Sequence, residues 1–135
     1  MAIYHGYNGT LTVGAVDLSD HVTEFEIVES YNDLDTTALG DTHETRIAGL
    51  GSFVLTATFQ QDQNTSEVYQ TLQPLVGTVA TFAGRADSGG ITVSNVDVSG
   101  SVFVGEFSHM HPAPDSLDVF SVSWAGTGAL TVTNA

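Results

Sequence analysis

At 135 residues, 41% of them hydrophobic, the chain reads as one domain over residues 1–135, large enough for a core and too short for a second domain of ordinary size. It has no cysteine, which excludes disulfides and cysteine-based metal or redox chemistry. Sixteen acidic residues stand against only Arg46 and Arg85, for a formal net charge of −14, so the chain lacks the basic side chains with which nucleic-acid-binding proteins displace counterions.

Small and β-branched residues with turn residues at short intervals predict an all-β sandwich or partial barrel. The first predicted strand is Leu11-Thr12-Val13, after the opening run His5-Gly6-Tyr7-Asn8-Gly9. Val16-Asp17-Leu18-Ser19-Asp20-His21-Val22 then leads into an acidic strand over Thr23 to Tyr31, where Phe25 and Ile27 point one way and Glu24 and Glu26 the other. Asn32 to Gly51 has no strong periodicity and is expected to be a long extended loop of the functional kind. Within it, Ile47-Ala48-Gly49-Leu50-Gly51 reads as a turn. Ser52 to Gln60 alternates cleanly, with Phe53, Leu55, Ala57 and Phe59 on one face.

One short flanking helix is expected at about residues 65–75. Asn64-Thr65-Ser66-Glu67 reads as its cap, Val68, Tyr69, Leu72 and Leu75 form its apolar stripe, and Pro74 and Gly77 end it. Further strands are predicted at Val79 to Phe82, Ile91 to Val98, Ser101 to Phe107, Leu117 to Trp124 and Ala129 to Thr133. The intervening loops are Ala86 to Gly90 and His111 to Asp115.

The run Gly40-Asp41-Thr42, then Arg46, then Ile47 to Gly51, then the strand Ser52 to Gln60 resembles the signature of bacteriophage tail tube (major tail) proteins. The opening blocks and the closing run Val122 to Leu130, with its Gly126-Thr127-Gly128 step, fall in the order this resemblance requires. It implies a structural virion protein, with hexameric rings stacked into a hollow tube, strands given to a continuous inner barrel, and the long loop reaching a neighbouring subunit. The partners implied are other copies of the chain and other phage virion proteins, with assembly in the host bacterial cytoplasm. Viral DNA would pass without specific binding, because a lumen lined by carboxylates repels phosphate. No cofactor and no membrane partner are expected. No apolar run approaches the length of a bilayer span, and the start lacks the basic and apolar stretches of a signal peptide, so an intracellular origin is the expectation.

Residues for the subunit interface are Asp33, Leu34, Asp35, Asp41, Glu44, Arg46, Ile47 and Leu50 of the loop, and Glu24 and Glu26 are the candidates to face the lumen. Arg46 is expected to reach a carboxylate on a neighbour rather than Glu44 or Asp41 beside it, where a bidentate contact would fix register. His109 and His111 could share a face and bind a metal with Glu106 or Asp115, but an isolated His-x-His beside a proline-rich loop reads better as two exposed histidines. Asn32-Asp33-Leu34-Asp35 could offer oxygen ligands to calcium, yet it fits no EF-hand loop and reads as turn and arm. No serine sits in a Gly-x-Ser-x-Gly turn, and Asp87-Ser88-Gly89-Gly90 lacks the lysine and helix of a phosphate loop, so no enzyme is expected. Two other functions stay open on the sequence. One is a capsid decoration or cement protein of the same fold, and the other is a small ligand-binding β-sandwich.

Overall fold

In the computed structural model, residues 9–63, 67–110, 112, 114 and 117–134 are described. The chain order is β1 (Thr10–Val13), β2 (Val16–Asp17), β3 (Val22–Asp35), β4 (Arg46–Gln60), α1 (Val68–Leu72), β5 (Val79–Arg85), β6 (Asp97–Phe103) and β7 (Val119–Thr133). All pairings are antiparallel, in the order β2-β1-β5-β6-β7-β4-β3. The expected fold class is therefore the observed one, mostly strand with one short helix.

The sheet folds over on itself at β7. Its first half pairs with β4, from Val119 opposite Gln60 to Ala125 opposite Val54. Its second half pairs with β6, from Gly126 opposite Val102 to Thr133 opposite Asp97. The sequence predicted two strands here, and the structure joins them through the Gly126-Thr127-Gly128 step. That step needs glycine for two separate reasons. A β-carbon on Gly126 would sit 2.4 Å from the Phe53 ring, and Gly128 takes a φ of +85° where the register between β6 and β7 shifts.

Between the two layers lies the core, built from alternating inward residues. Leu11, Val13, Ala80, Phe82 and Val102 come from one layer, and Phe53, Leu55, Ala57, Phe59, Phe120, Val122 and Trp124 from the other. Val68 and Leu72 of α1 plug one end. Trp124 is fully buried, and its indole N–H donates to the Glu106 carbonyl at 3.0 Å, so the largest side chain enters without an unpaired donor. The Glu106 carboxylate accepts the Ser123 N–H at 2.7 Å, satisfying part of β7 where β6 has ended. The layers do not close on the side of β3. Phe25 and Ile27 lean toward Gly84 of β5, and a cleft of about 1090 Å³ remains there, lined in part by Leu11, Val98, Arg85 and Asn95.

Several predicted boundaries shift. Ile91 to Val98 is not a strand before Asp97, because the buried Asn95 amide donates to the carbonyls of Asp87, Gly89 and Gly90 and folds residues 86–96 into a compact loop. The strand expected at Ser101 to Phe107 is the end of β6, which stops at Phe103. The helix is shorter than expected, with five α residues and a 3-10 turn over Gln73–Leu75, while its buried stripe includes Val68 and Leu72 as predicted. Residues 64–66 of the expected cap lie outside the described residues.

Candidate functional site: the projecting hairpin and the polar sheet face

Strands β3 and β4 continue well past the body. The last residue of β4 paired with β7 is Val54, yet the β3–β4 ladder runs on through Ser30 opposite Ser52, Tyr31 opposite Gly51, Leu34 opposite Ile47 and Asp35 opposite Arg46. The eight residues from Phe53 back to Arg46 make a two-stranded ribbon about 25 Å long at the rise of an extended strand. The segment expected to be an extended loop over 32–51 is thus mostly paired strand, and Ile47 to Gly51 lies inside β4 rather than in a turn. The physical reason is that both faces of the ribbon are wet, so no inward-outward alternation is imposed. A bulge between Tyr31 and Asp33 absorbs the irregularity, and the Tyr31 ring lies over Gly51, where a β-carbon would come within 2.5 Å of it.

The tip is a hydrogen-bonded turn. Thr36 N–H donates to the Thr45 carbonyl at 2.8 Å, Thr45 N–H to Thr37 Oγ1 at 2.9 Å, and Ala38 N–H to the Asp41 carboxylate at 2.7 Å. Gly40 supplies the positive φ of +94° that the turn requires. The Asp35 carboxylate accepts the Thr37 N–H, and this bond holds its pKa below the ordinary carboxylate value.

Of the residues expected at an interface, Asp33, Leu34, Asp35, Asp41, Glu44, Arg46, Ile47 and Leu50 are all exposed and all lie on this hairpin. Arg46 is held within its own subunit, 2.5 Å from Asp33 and 3.1 Å from Glu44, while Asp41 serves the tip turn instead. Half-exposed as the guanidinium is, this pairing fixes its position at little net energy. Asp33 pairs with Arg46 across the hairpin, and Asp35 accepts the Thr37 N–H. Tyr31, Leu34, Leu39, Ile47 and Leu50 expose apolar surface along the ribbon and its tip, Leu50 at 83% and Leu39 in full.

Glu24 and Glu26 stand on the outer face of the β3–β4–β7 layer, opposite to Phe25 and Ile27 as expected. Glu24 is opposite Thr58, which is opposite Ser121, and Glu26 is opposite Thr56, which is opposite Ser123. The hydroxyls of Thr58 and Ser121 meet at 2.8 Å. The result is a band of carboxylates and short hydroxyls with no cation among the described residues. Arg85, the other arginine, is turned to Asp97 at 3.5 Å and to the Gly89 carbonyl at 2.9 Å.

Of the histidines weighed for metal binding, His109 packs edge-on against Phe107 and Tyr69 and bonds the Tyr69 hydroxyl at 3.0 Å, and His111 lies outside the described residues. The sequence reading missed His21. Its Nε2 is 2.7 Å from Asp62 and 3.1 Å from Glu67, and its Nδ1 is 3.4 Å from Asp20. The hydrogen bond to Asp62 raises the imidazole pKa above 6.5, against an opposing effect of burial, and Asp20 and Glu67 add to the rise. Only the adjacent Asp20 could have signalled this cluster, since Asp62 and Glu67 arrive from the far end of β4 and the start of α1.

No family model and no curated protein matches this sequence. Solved structures do share its fold. A chain from the virion of a native gene transfer agent particle is 14% identical, with a TM-score of 0.76 over 97% of this chain and 99% of that one. A chain from the tail of an empty gene transfer agent particle, obtained by helical refinement with C6 symmetry, is likewise 14% identical, with a TM-score of 0.71 over 97% and 99%.

Proposed function

We propose that this protein is a tail tube subunit, a structural virion protein that stacks as hexameric rings into the DNA-ejection channel of a tailed bacteriophage or related particle. The observation that carries this reading is the hairpin. A ribbon of about 25 Å with wet edges and exposed Tyr31, Leu34, Ile47 and Leu50 gains little by standing alone in water, and gains a buried apolar surface by lying on a neighbouring copy. The edges that β3 and β2 present among the described residues support the same reading, because a ring that pairs edges between copies removes the open-edge hazard. The likeness in fold to a chain of a C6-symmetric tail agrees with it.

The work required is passive. Each carboxylate of a subunit is repeated around every ring, so Glu24 and Glu26, placed on a lumenal face, would present a dense negative field with water held on the neighbouring hydroxyls. Such a wall repels phosphate, and DNA slides past it without a binding site to leave. Arg46, fixed by Asp33 and Glu44, sits on the arm where it can meet an acidic surface of the next subunit.

Negative-stain electron microscopy and light scattering across protein and salt concentrations test the proposal. Rings or tubes are expected, favoured by salt that screens the −14 formal charge of each subunit. A monomer under every condition would overturn it, and binding to capsid shells without tubes would select the decoration role instead.

A further inference from the structure

The ring of His21 lies between three carboxylates that arrive from three segments. His21 closes the 3-10 turn Ser19–His21 ahead of β3, and its backbone N–H anchors it there by donating to the carbonyl of the buried Leu18 at 2.9 Å. Asp20 belongs to the same turn, Asp62 follows the end of β4, and Glu67 immediately precedes α1. Nε2 is 2.7 Å from Asp62 and 3.1 Å from Glu67, while on the opposite side Nδ1 is shut off from water with the Asp20 carboxylate 3.4 Å away. A neutral imidazole carries its proton on one nitrogen and a bare lone pair on the other. With the proton on Nε2, the Nδ1 lone pair faces Asp20. With the proton on Nδ1, the Nε2 lone pair faces Asp62 and Glu67. Either neutral form sets a lone pair against a carboxylate, and only the imidazolium meets both sides with an N–H. Both arginines of the chain face other partners, so the charge that these carboxylates meet is that of His21.

The start of the helix hangs on two of the same residues. Tyr69 N–H donates to the Asp62 carbonyl at 2.8 Å, and Thr71 N–H donates to the Glu67 carbonyl at 3.0 Å. We propose that His21 is a proton-operated clamp on α1: as the imidazolium it ties the exit of β4 and the start of α1 to the entry of β3, and on losing its proton it lets the start of the helix go. Without that charge, Asp62 and Glu67 are two carboxylates gathered on one neutral ring atom, and they repel each other. The hydrogen bond to Asp62 holds the imidazole pKa above its ordinary value of 6.5 despite the opposing effect of burial, which agrees with the charged form being the native one. Because the native state keeps this proton more tightly than the unfolded chain does, the clamp is complete below 6.5 and is lost as the pH rises through the higher native value. On the acid side it lasts while the three carboxylates stay ionised. Release would loosen the seat of Val68 and Leu72, which are fully buried at the end of the core.

Two exchange measurements on the full chain, across about pH 5.5 to 9, test the clamp. Histidine C2-proton exchange read by mass spectrometry gives the titration midpoint of His21. Amide exchange, corrected for its intrinsic rate, gives the protection of Tyr69 and Thr71, with β7 as the internal reference. The midpoint is expected above 6.5, and protection at α1 should fall about tenfold or more on passing it, as the loss of one charge-assisted hydrogen bond requires, while β7 keeps its protection. His21→Gln should leave α1 weakly protected with no step. Asp62→Asn, close to the original in shape, should lower the His21 midpoint and carry the α1 step down with it; it decides the matter if His21→Gln fails to fold. The proposal is overturned by a midpoint at or below 6.5, by α1 protection that stays level across the midpoint, by a step that survives His21→Gln, or by an Asp62→Asn variant whose midpoint moves while the step does not.

Discussion

Strands β3 and β4 pass through two environments, and the same pair of strands obeys different rules in each. In the body, β4 alternates Phe53, Leu55, Ala57 and Phe59 inward against Val54 and Thr56 outward, because one face meets the core. In the arm, the same strand runs Arg46-Ile47-Ala48-Gly49-Leu50-Gly51 with no alternation, because neither face is covered by its own subunit. Hydrophobic periodicity therefore reports burial on one side, and strand geometry only through it. An exposed ribbon is free to choose side chains for a partner, and this one carries apolar residues, paired charges and glycine.

If the body is held by packing and the arm by its own ladder, the largest loss of stability comes from the core. Trp124→Ala should cost about 3–5 kcal/mol in urea unfolding, since it empties the space against Phe59 and leaves the Glu106 carbonyl without its donor. A smaller figure would mean that the two layers collapse onto the gap.

Replacing Tyr31 to Gly51 by Asn-Gly, which joins Ser30 to Ser52 through a two-residue turn, should leave a folded body with a melting temperature close to that of the full chain. Assembly should be lost. If the shortened protein fails to fold, the arm supports the body and the division between them is wrong.

Leu34→Asp with Ile47→Asp places two like charges opposite each other on the ribbon. Unfolding of the body should change by no more than about 0.5 kcal/mol, while assembly measured by light scattering should be strongly weakened. Arg46→Glu should act the same way with a smaller effect, because its pairs with Asp33 and Glu44 are exposed and each contributes about 0.2–1 kcal/mol. Equal losses of assembly and thermal stability would confine Arg46 to a role inside its own hairpin.

Glu24→Lys with Glu26→Lys should perturb the subunit least of all, since both side chains are exposed beside hydroxyls. In an assembled tube the same change should slow or trap DNA. Passage at the normal rate would place these carboxylates on the exterior, and would turn attention to other acids such as Asp97, Glu106 and Asp118.

Where burial writes a pattern, the sequence could be read. Phe25 and Ile27 against Glu24 and Glu26, the four inward residues of β4, and Val68 with Leu72 on the helix all follow from period and chemistry. The residues expected at an interface were chosen by composition and position, and the structure places all of them exposed on the arm. Their pairing as a ladder was not legible, because a two-sided wet ribbon imposes no period. The strand expected from Ile91 was misread for a related reason, since the Asn95 amide captures three carbonyls and a propensity argument cannot see a side chain competing with the backbone.

By itself the sequence determined the all-β class, the single helix, the absence of cysteine chemistry and the acidity that argues against holding nucleic acid. These depend on composition and on neighbours a few residues apart. Only the tertiary structure decided that β7 serves both layers, that Arg46 reaches Asp33 across the hairpin, and that His21 meets Asp62 and Glu67. Each of those facts joins residues far apart in the chain, and no local pattern encodes where two distant segments will meet once the core has packed.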